Sequence, residues 1–203
     1  VDVALTNATV ASALLDLQAS SVSGDLRYRT QTGFESAGIT ARVFDRQVAV
    51  AMGPQLATTS DTLLAAQLDF EVAVSDVLSW RGINYSLPAE GVTAVTVGVN
   101  VASEVAVDIE SDLEGVAVDL PLPWGKPAEA GAPLKVSWRD REWAAWEVFW
   151  FGRASAITDT PEAGSISAIL DLTPRTQPLH WPLLAPDPGL RVTGFLPSLD
   201  LSD

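Results

Sequence analysis

Cysteine is absent from the 203 residues, and histidine and methionine each occur once. Without Cys there are no disulfides, no thiolate chemistry and no thiolate-held metal, and the redox compartment stays open. With a single His, a Ser-His-Asp arrangement would have to use His180, which stands in QPLHWPLL inside a Pro-rich stretch. A general base needs a partnered imidazole in a cleft, so His180 reads as a surface or packed loop residue. One His and no Cys leave no zinc-type ligand set. Also missing are a D-x-[DN]-x-[DN]-G calcium loop, a Gly-rich phosphate loop and a G-x-S-x-G elbow. The sequence thus points away from an enzyme and implies no cofactor.

Basic residues are scarce as well: 12 Lys+Arg against 26 Asp+Glu, for a net charge of −14. A phosphate backbone is gripped by clustered Lys and Arg, and none cluster here, so nucleic acid is excluded as a partner. An anionic membrane surface would repel the chain too. The acidity either keeps an apolar-rich chain soluble or reflects a salt-adapted source. No apolar run approaches the ~18 residues of a membrane helix, and no basic, apolar leader is present. The chain opens on VDVALTNATV, already strand-like and without an initiator Met, which suggests a piece of a longer protein or a mature segment.

What the chain does contain is period-two alternation, in a composition that is 47% hydrophobic and 19% charged. In AVTVGVNVASEVAVDIESDL (94–113) the odd positions are Val95, Val97, Val99, Val101, Ser103, Val105, Val107, Ile109, Ser111 and Leu113. The even positions are small, polar or acidic. This is the pattern of antiparallel strand with one apolar face, and Val and Ile suit a pleat because their χ1 is already restricted. Residues 103–104 mark a hairpin turn, or the stretch is one very long strand. At Glu114-Gly115 the phase flips to Val116, Val118, Leu120 and Leu122, as at a bulge or tight bend. Pro121 and Pro123 then end regular pairing, and Trp124-Gly125-Lys126-Pro127 turns the chain away. Lys126, between Gly and Pro, reads as part of that turn.

The same alternation recurs in Leu68/Phe70/Val72/Val74, Ile39/Ala41/Val43, Val48/Val50/Met52 and Ile166/Ala168/Leu170/Leu172, and Leu190/Val192 begin a last run. Leu134/Val136/Trp138, the charged RDRE and EWAAWEVFWF together predict a hairpin. Two short helices at most fit, at 60–68 and 73–80. Residues 173–189 hold five prolines and read as loop. About twelve strands in meander order result. Placed side by side at ~4.8 Å they would span about 55 Å. A sheet that wide either curls into a trough or splits into a closed β-sandwich.

Two clusters invite a chemical reading. Asp108, Glu110 and Asp112 share one strand face, which reads as a solvated polar face, since a glycosidase pair must face across a cleft. Trp143, Trp146 and Trp150 form a Trp-rich hairpin that is either core packing or a platform for carbohydrate or protein partners.

The stretch SDLEGVAVDLPLPWGKP, followed by LKVSW, resembles the AsmA-like proteins of the YhdP branch. Ser111, Asp112, Leu113 and Gly115 match a Ser-Asp-Leu-x-Gly motif; Leu120, Pro121, Pro123, Gly125 and Lys126 match Leu-Pro-x-Pro-x-Gly-Lys. VSGDLRYRTQTGFESAGITARVFDRQVAV (22–50) and GLRVTGFLPSLDLSD (189–203) resemble two further stretches of that family, in the same order. Asp45 stands where the family usually has Gly, Gln47 where it has Pro, and Trp124 where an aliphatic residue is commoner.

The resemblance implies an all-β fold, a long curved antiparallel sheet folded into an apolar trough. It also implies that residues 1–203 are a single internal periplasmic segment of a protein anchored in the inner membrane by a helix outside this chain. The implied function is phospholipid transport between inner and outer membranes. The expected groove lining is Val95, Val97, Val99, Val101, Val105, Val107, Ile109 and Leu113. The expected partners are phospholipid acyl chains and neighbouring segments of the same protein, and the isolated piece is expected to be able to form a homodimer. The alternative is the closed sandwich that binds through its Trp-rich hairpin.

Overall fold

The computed structural model describes residues 1–12, 17–57, 62–80, 87–140, 145–159, 167–178 and 188–194. Among these the fold is all-β. Thirteen strands pair as one mixed sheet, with a single α-helix and one 3₁₀ turn. Two compact units divide the chain: unit 1 is Val1–Tyr85 with Ala94–Val107, and unit 2 is Ser86–Thr93 with Asp108–Asp203.

Unit 1 is built on five strands in meander order: β1 (Asp2–Ser12), β2 (Leu17–Arg29), β3 (Gly33–Val43), β4 (Arg46–Met52) and β5 (Leu64–Ala73), all antiparallel. The segment read as a helix at 60–68 is, over Leu64–Leu68, part of β5. Here Ala66 pairs with Met52 and Leu68 with Val50, and cross-strand burial overrides local helix propensity. The second helix reading holds: α1 spans Val74–Trp80. Val74 therefore opens the helix and does not extend the strand face of Leu68, Phe70 and Val72.

β3 and β4 are joined by a two-residue turn, with Val43 opposite Arg46. Both turn residues have positive φ, Phe44 at 51° and Asp45 at 58°. A mirror-image turn of this kind matches strand twist but favours Gly, so Asp45 holds a conformation that glycine adopts at lower cost.

The long alternating stretch is two strands, β6 (Ala89–Val101) and β7 (Val105–Ser111), joined by a bend at 102–104 in which Ala102 N–H donates to the Glu104 carbonyl at 3.0 Å. The phase flip at Gly115 is a turn. Ser111 Oγ accepts from Leu113 N–H (3.0 Å), Asp112 Oδ1 accepts from Glu114 N–H (2.8 Å), and Leu113 and Gly115 have φ of 55° and 90°. The chain then enters β8 (Val116–Val118), which pairs with Ala89–Gly91 of β6. Beyond a cis Leu122–Pro123 bond it does not turn away but returns, and Lys126 bridges antiparallel to Val118. A Cβ on Gly125 would lie 1.9 Å from the Leu120 carbonyl oxygen, so only glycine fits that return.

Unit 2 continues with β9 (Leu134–Arg139), β10 (Ala145–Trp150), β11 (Ala154–Asp159), β12 (Ser167–Asp171) and β13 (Gly189–Thr193). The first four are successively antiparallel, as expected. β13 is parallel to β12, which makes the sheet mixed where the reading had it antiparallel throughout. The long 172–188 connection carries the chain back to the start of the ladder, which a tight hairpin cannot do.

Candidate functional site

Each unit carries an apolar sheet face. In unit 1 the register places Ile39 opposite Val50 and Val50 opposite Leu68, with Ala41 opposite Val48. Ile39, Ala41, Val43 and Val48 are 4% exposed or less, while Thr40, Arg42, Gln47 and Ala49 between them are exposed. Val22, Ile39 and Ala41 form a cluster that gathers Leu5, Ala8, Leu26, Val50 and Met52 from β1, β2 and β4. β6 joins this face with its odd residues. Thr96 Oγ1 donates to Asp69 Oδ1 at 2.7 Å, so the even residues lie with the polar side of β5. Val95, Val97, Val99 and Val101 therefore share the side of Leu68 and Phe70.

In unit 2 the polar side is fixed by ions. Asp108 of β7 accepts from Ser137 Oγ (2.7 Å) and from Arg139 Nη2 (2.9 and 3.0 Å), and Glu110 accepts from Lys135 Nζ (2.8 Å). Burial pushes the Asp108 carboxyl up, but the hydrogen bonds from Arg139 and Ser137 outweigh it and hold the group below its usual value. These acids are thus tied across strands, Asp108 half-buried and Glu110 still exposed, as expected of a solvated polar face. Asp112 belongs to the turn.

The other side of unit 2 is apolar. Leu134, Trp150 and Ala154 are directly opposed across β9, β10 and β11, as are Val136, Val148, Ala156 and Leu170 across β9 to β12. Most of these are half-buried. Trp146 shares their face and pairs with Trp138, the rings 6.3 Å apart and Trp138 2% exposed. The opposite side of the same strands is the tighter one, with Ala145, Ser155, Ile157, Ser167 and Asp171 all buried.

At one end of the apolar row lies a pocket of about 380 Å³ lined by Leu120, Trp124, Leu134, Val148, Trp150, Leu170 and neighbouring small residues. Its roof is the LPLPWG loop. Trp124 Nε1 donates to the Arg153 carbonyl at 3.3 Å. Arg153 Nη1 donates to the carbonyls of Pro123 and, at 3.1 Å, Gly125, and its guanidinium lies 5.0 Å from the Trp150 ring centre.

The expected groove residues are dispersed. Val95, Val97, Val99 and Val101 lie on β6, half-buried to a similar degree as Thr96, Gly98 and Asn100 on the other side. Val105, Val107 and Ile109 lie on β7, with Val107 only 2% exposed. Leu113 is off the strand, in the positive-φ turn. Lys126 is 5% exposed and its ammonium donates to the carbonyls of Val116 and, at 3.2 Å, Pro127; burial, with the nearby Arg153, pushes it below the ordinary lysine value. It locks the loop. Trp143 and His180 lie outside the described residues. The pocket residues were not anticipated, although the parity of Leu134/Val136 and Val148/Trp150 was the available signal.

Among the described residues no group of three or more His, Asp or Glu is placed to hold a metal, and no helix is long and apolar enough to cross a membrane. No family model, curated protein or solved structure matches the chain.

Proposed function

We propose that this chain is a non-enzymatic, lipid-carrying segment of a YhdP-like protein. It would be periplasmic and part of an inner-membrane-anchored whole that moves phospholipids between inner and outer membranes. Acyl chains would lie on the apolar face of each unit, against Val95–Val101 in unit 1 and the Val136–Val148–Ala156–Leu170 row in unit 2.

The observation that carries this reading is the half-burial of aligned aliphatic rows. A sealed core leaves such residues near zero exposure, whereas Val97, Val148 and Leu170 keep surface to offer. Each methylene removed from water contributes ~0.8 kcal/mol, so a sustained row holds a chain strongly in sum. Its contacts are non-directional, so the chain is free to slide.

The test is a photo-crosslinking amino acid placed at Val97 or Val148, with Thr96 and Lys135 as opposite-face controls. The chain is expressed in the periplasm of a Gram-negative host and adducts are identified by mass spectrometry. Phospholipid adducts at the first pair and none at the second are expected. Equal labelling of both faces, or no lipid adduct, would sink the reading.

A further inference from the structure

We propose that the unit 2 pocket holds a single acyl chain ending in an anion, the chain beneath Trp124 and the head group at Arg153. This goes beyond the conduit reading, because a chain fixed by charge at one station is bound and not passed along.

Arg153 is the anomaly that points there. The chain has more than two acids for every base, and several of the described cations pair with one: Arg27 with Asp2, Arg46 with Asp76, Lys135 with Glu110, Arg139 with Asp108, Arg175 with Asp171. Arg42 and Lys126 donate to backbone carbonyls, as Arg153 does, but only Arg153 also lies over a pocket-lining ring. Arg153 is half-buried and no carboxylate among the described residues pairs with it; its bonds go to two backbone carbonyls through Nη1 alone. Burial pushes it below the ordinary arginine value with no acid to offset the effect. A guanidinium kept partly out of water without a counter-charge favours an anionic ligand, and its fork suits a carboxylate or phosphate.

The same guanidinium stacks on Trp150, whose ring lines the pocket and whose Nε1 is a buried donor without a partner. The cation therefore sits beside an apolar cavity, the two parts an amphiphile needs. At about 380 Å³ the cavity is near the small end of ligand pockets, ~300–1,000 Å³, which suits one chain better than two.

The experiment titrates the whole chain with cis-parinaric acid and, separately, with its methyl ester, following probe fluorescence at low salt. The acid is expected to bind about tenfold more tightly than the ester, the increment of one charge-assisted hydrogen bond, with the gap narrowing as salt rises. Arg153→Gln should erase the gap and leave ester binding in place, Arg153→Lys should keep part of it, and Ala156→Trp should weaken both by filling the cavity. Equal binding of acid and ester by the unaltered chain overturns the head-group assignment, and that comparison needs no variant to fold. Undiminished binding by Ala156→Trp, or no binding of either probe, overturns the pocket. The Val97 cross-link reads unit 1 and stands or falls separately.

Discussion

Asp45 shows how a single residue records a backbone demand. It holds φ at 58° in a two-residue turn whose mirror-image geometry favours glycine. Asp45→Gly should therefore stabilise the protein by about 0.5–1 kcal/mol, seen as a higher urea midpoint with unchanged slope. Val97 and Val107 make a second contrast. They share a parity in sequence, but Val107 is 2% exposed and Val97 half-buried. Val107→Asp buries an unpaired charge and should cost more than about 3 kcal/mol, while Val97→Asp should cost less than about 1.5. Thermal melts of both variants check the order; equal losses would mean that both positions are sealed. Parity was readable from the sequence. Degree of burial was not, because it depends on what lies across the face.

At the scale of elements, β7 and β9 are tied by the Asp108–Arg139–Ser137 contacts. Asp108 titrates below its usual value when folded, so its contribution is fully present above the unfolded carboxyl value of ~3.9 and is lost as pH falls from there through the folded value. Asp108→Asn should cost about 1–2 kcal/mol at neutral pH and flatten the stability profile below pH ~4. Urea midpoints measured from pH 2 to 7 test this, and parallel profiles would overturn it. The strands themselves were legible wherever branched residues alternate: Ile39–Val43, Val48–Met52, Leu134–Trp138 and Trp146–Trp150 all fall in strands with the expected faces together. Leu64–Leu68 was misread because Leu and Ala suit a helix locally and only the β4 register makes them strand. The destination of β8 was hidden for a related reason. Alternation says that Val116–Val118 is a strand, but not that Ala89–Gly91 is its partner.

For the whole molecule, the all-β class and the meander order followed from alternation and turn chemistry, since short connections make sequence neighbours into ladder neighbours. The parallel β13 broke the pattern because the 172–188 connection is long enough to return the chain to the other end, and nothing in its prolines encodes direction. The candidate site was half legible. The aliphatic faces could be read from parity, but the pocket could not, because Trp124 meets Trp150 and Arg153 from a separate segment. A loop rich in Pro and Gly announces a turn without naming what it covers.

The division of β6 between the two units has a consequence for synthesis. The residues of β6 up to Thr93 belong to unit 2 and those from Ala94 to unit 1. Neither unit is a contiguous stretch of chain: a cut after Val107 keeps all of unit 1 but takes Ser86–Thr93 from unit 2, so no single cut, whether in a gene or by a protease, yields both units intact. On the ribosome, unit 1 becomes complete only when Val107 has emerged. Ala89–Gly91, made earlier, wait for Val116–Val118 before their ladder can form. The amino-terminal half is thus committed to a partner not yet translated, and vectorial folding, which normally closes one module before the next begins, must here hold two modules open at once.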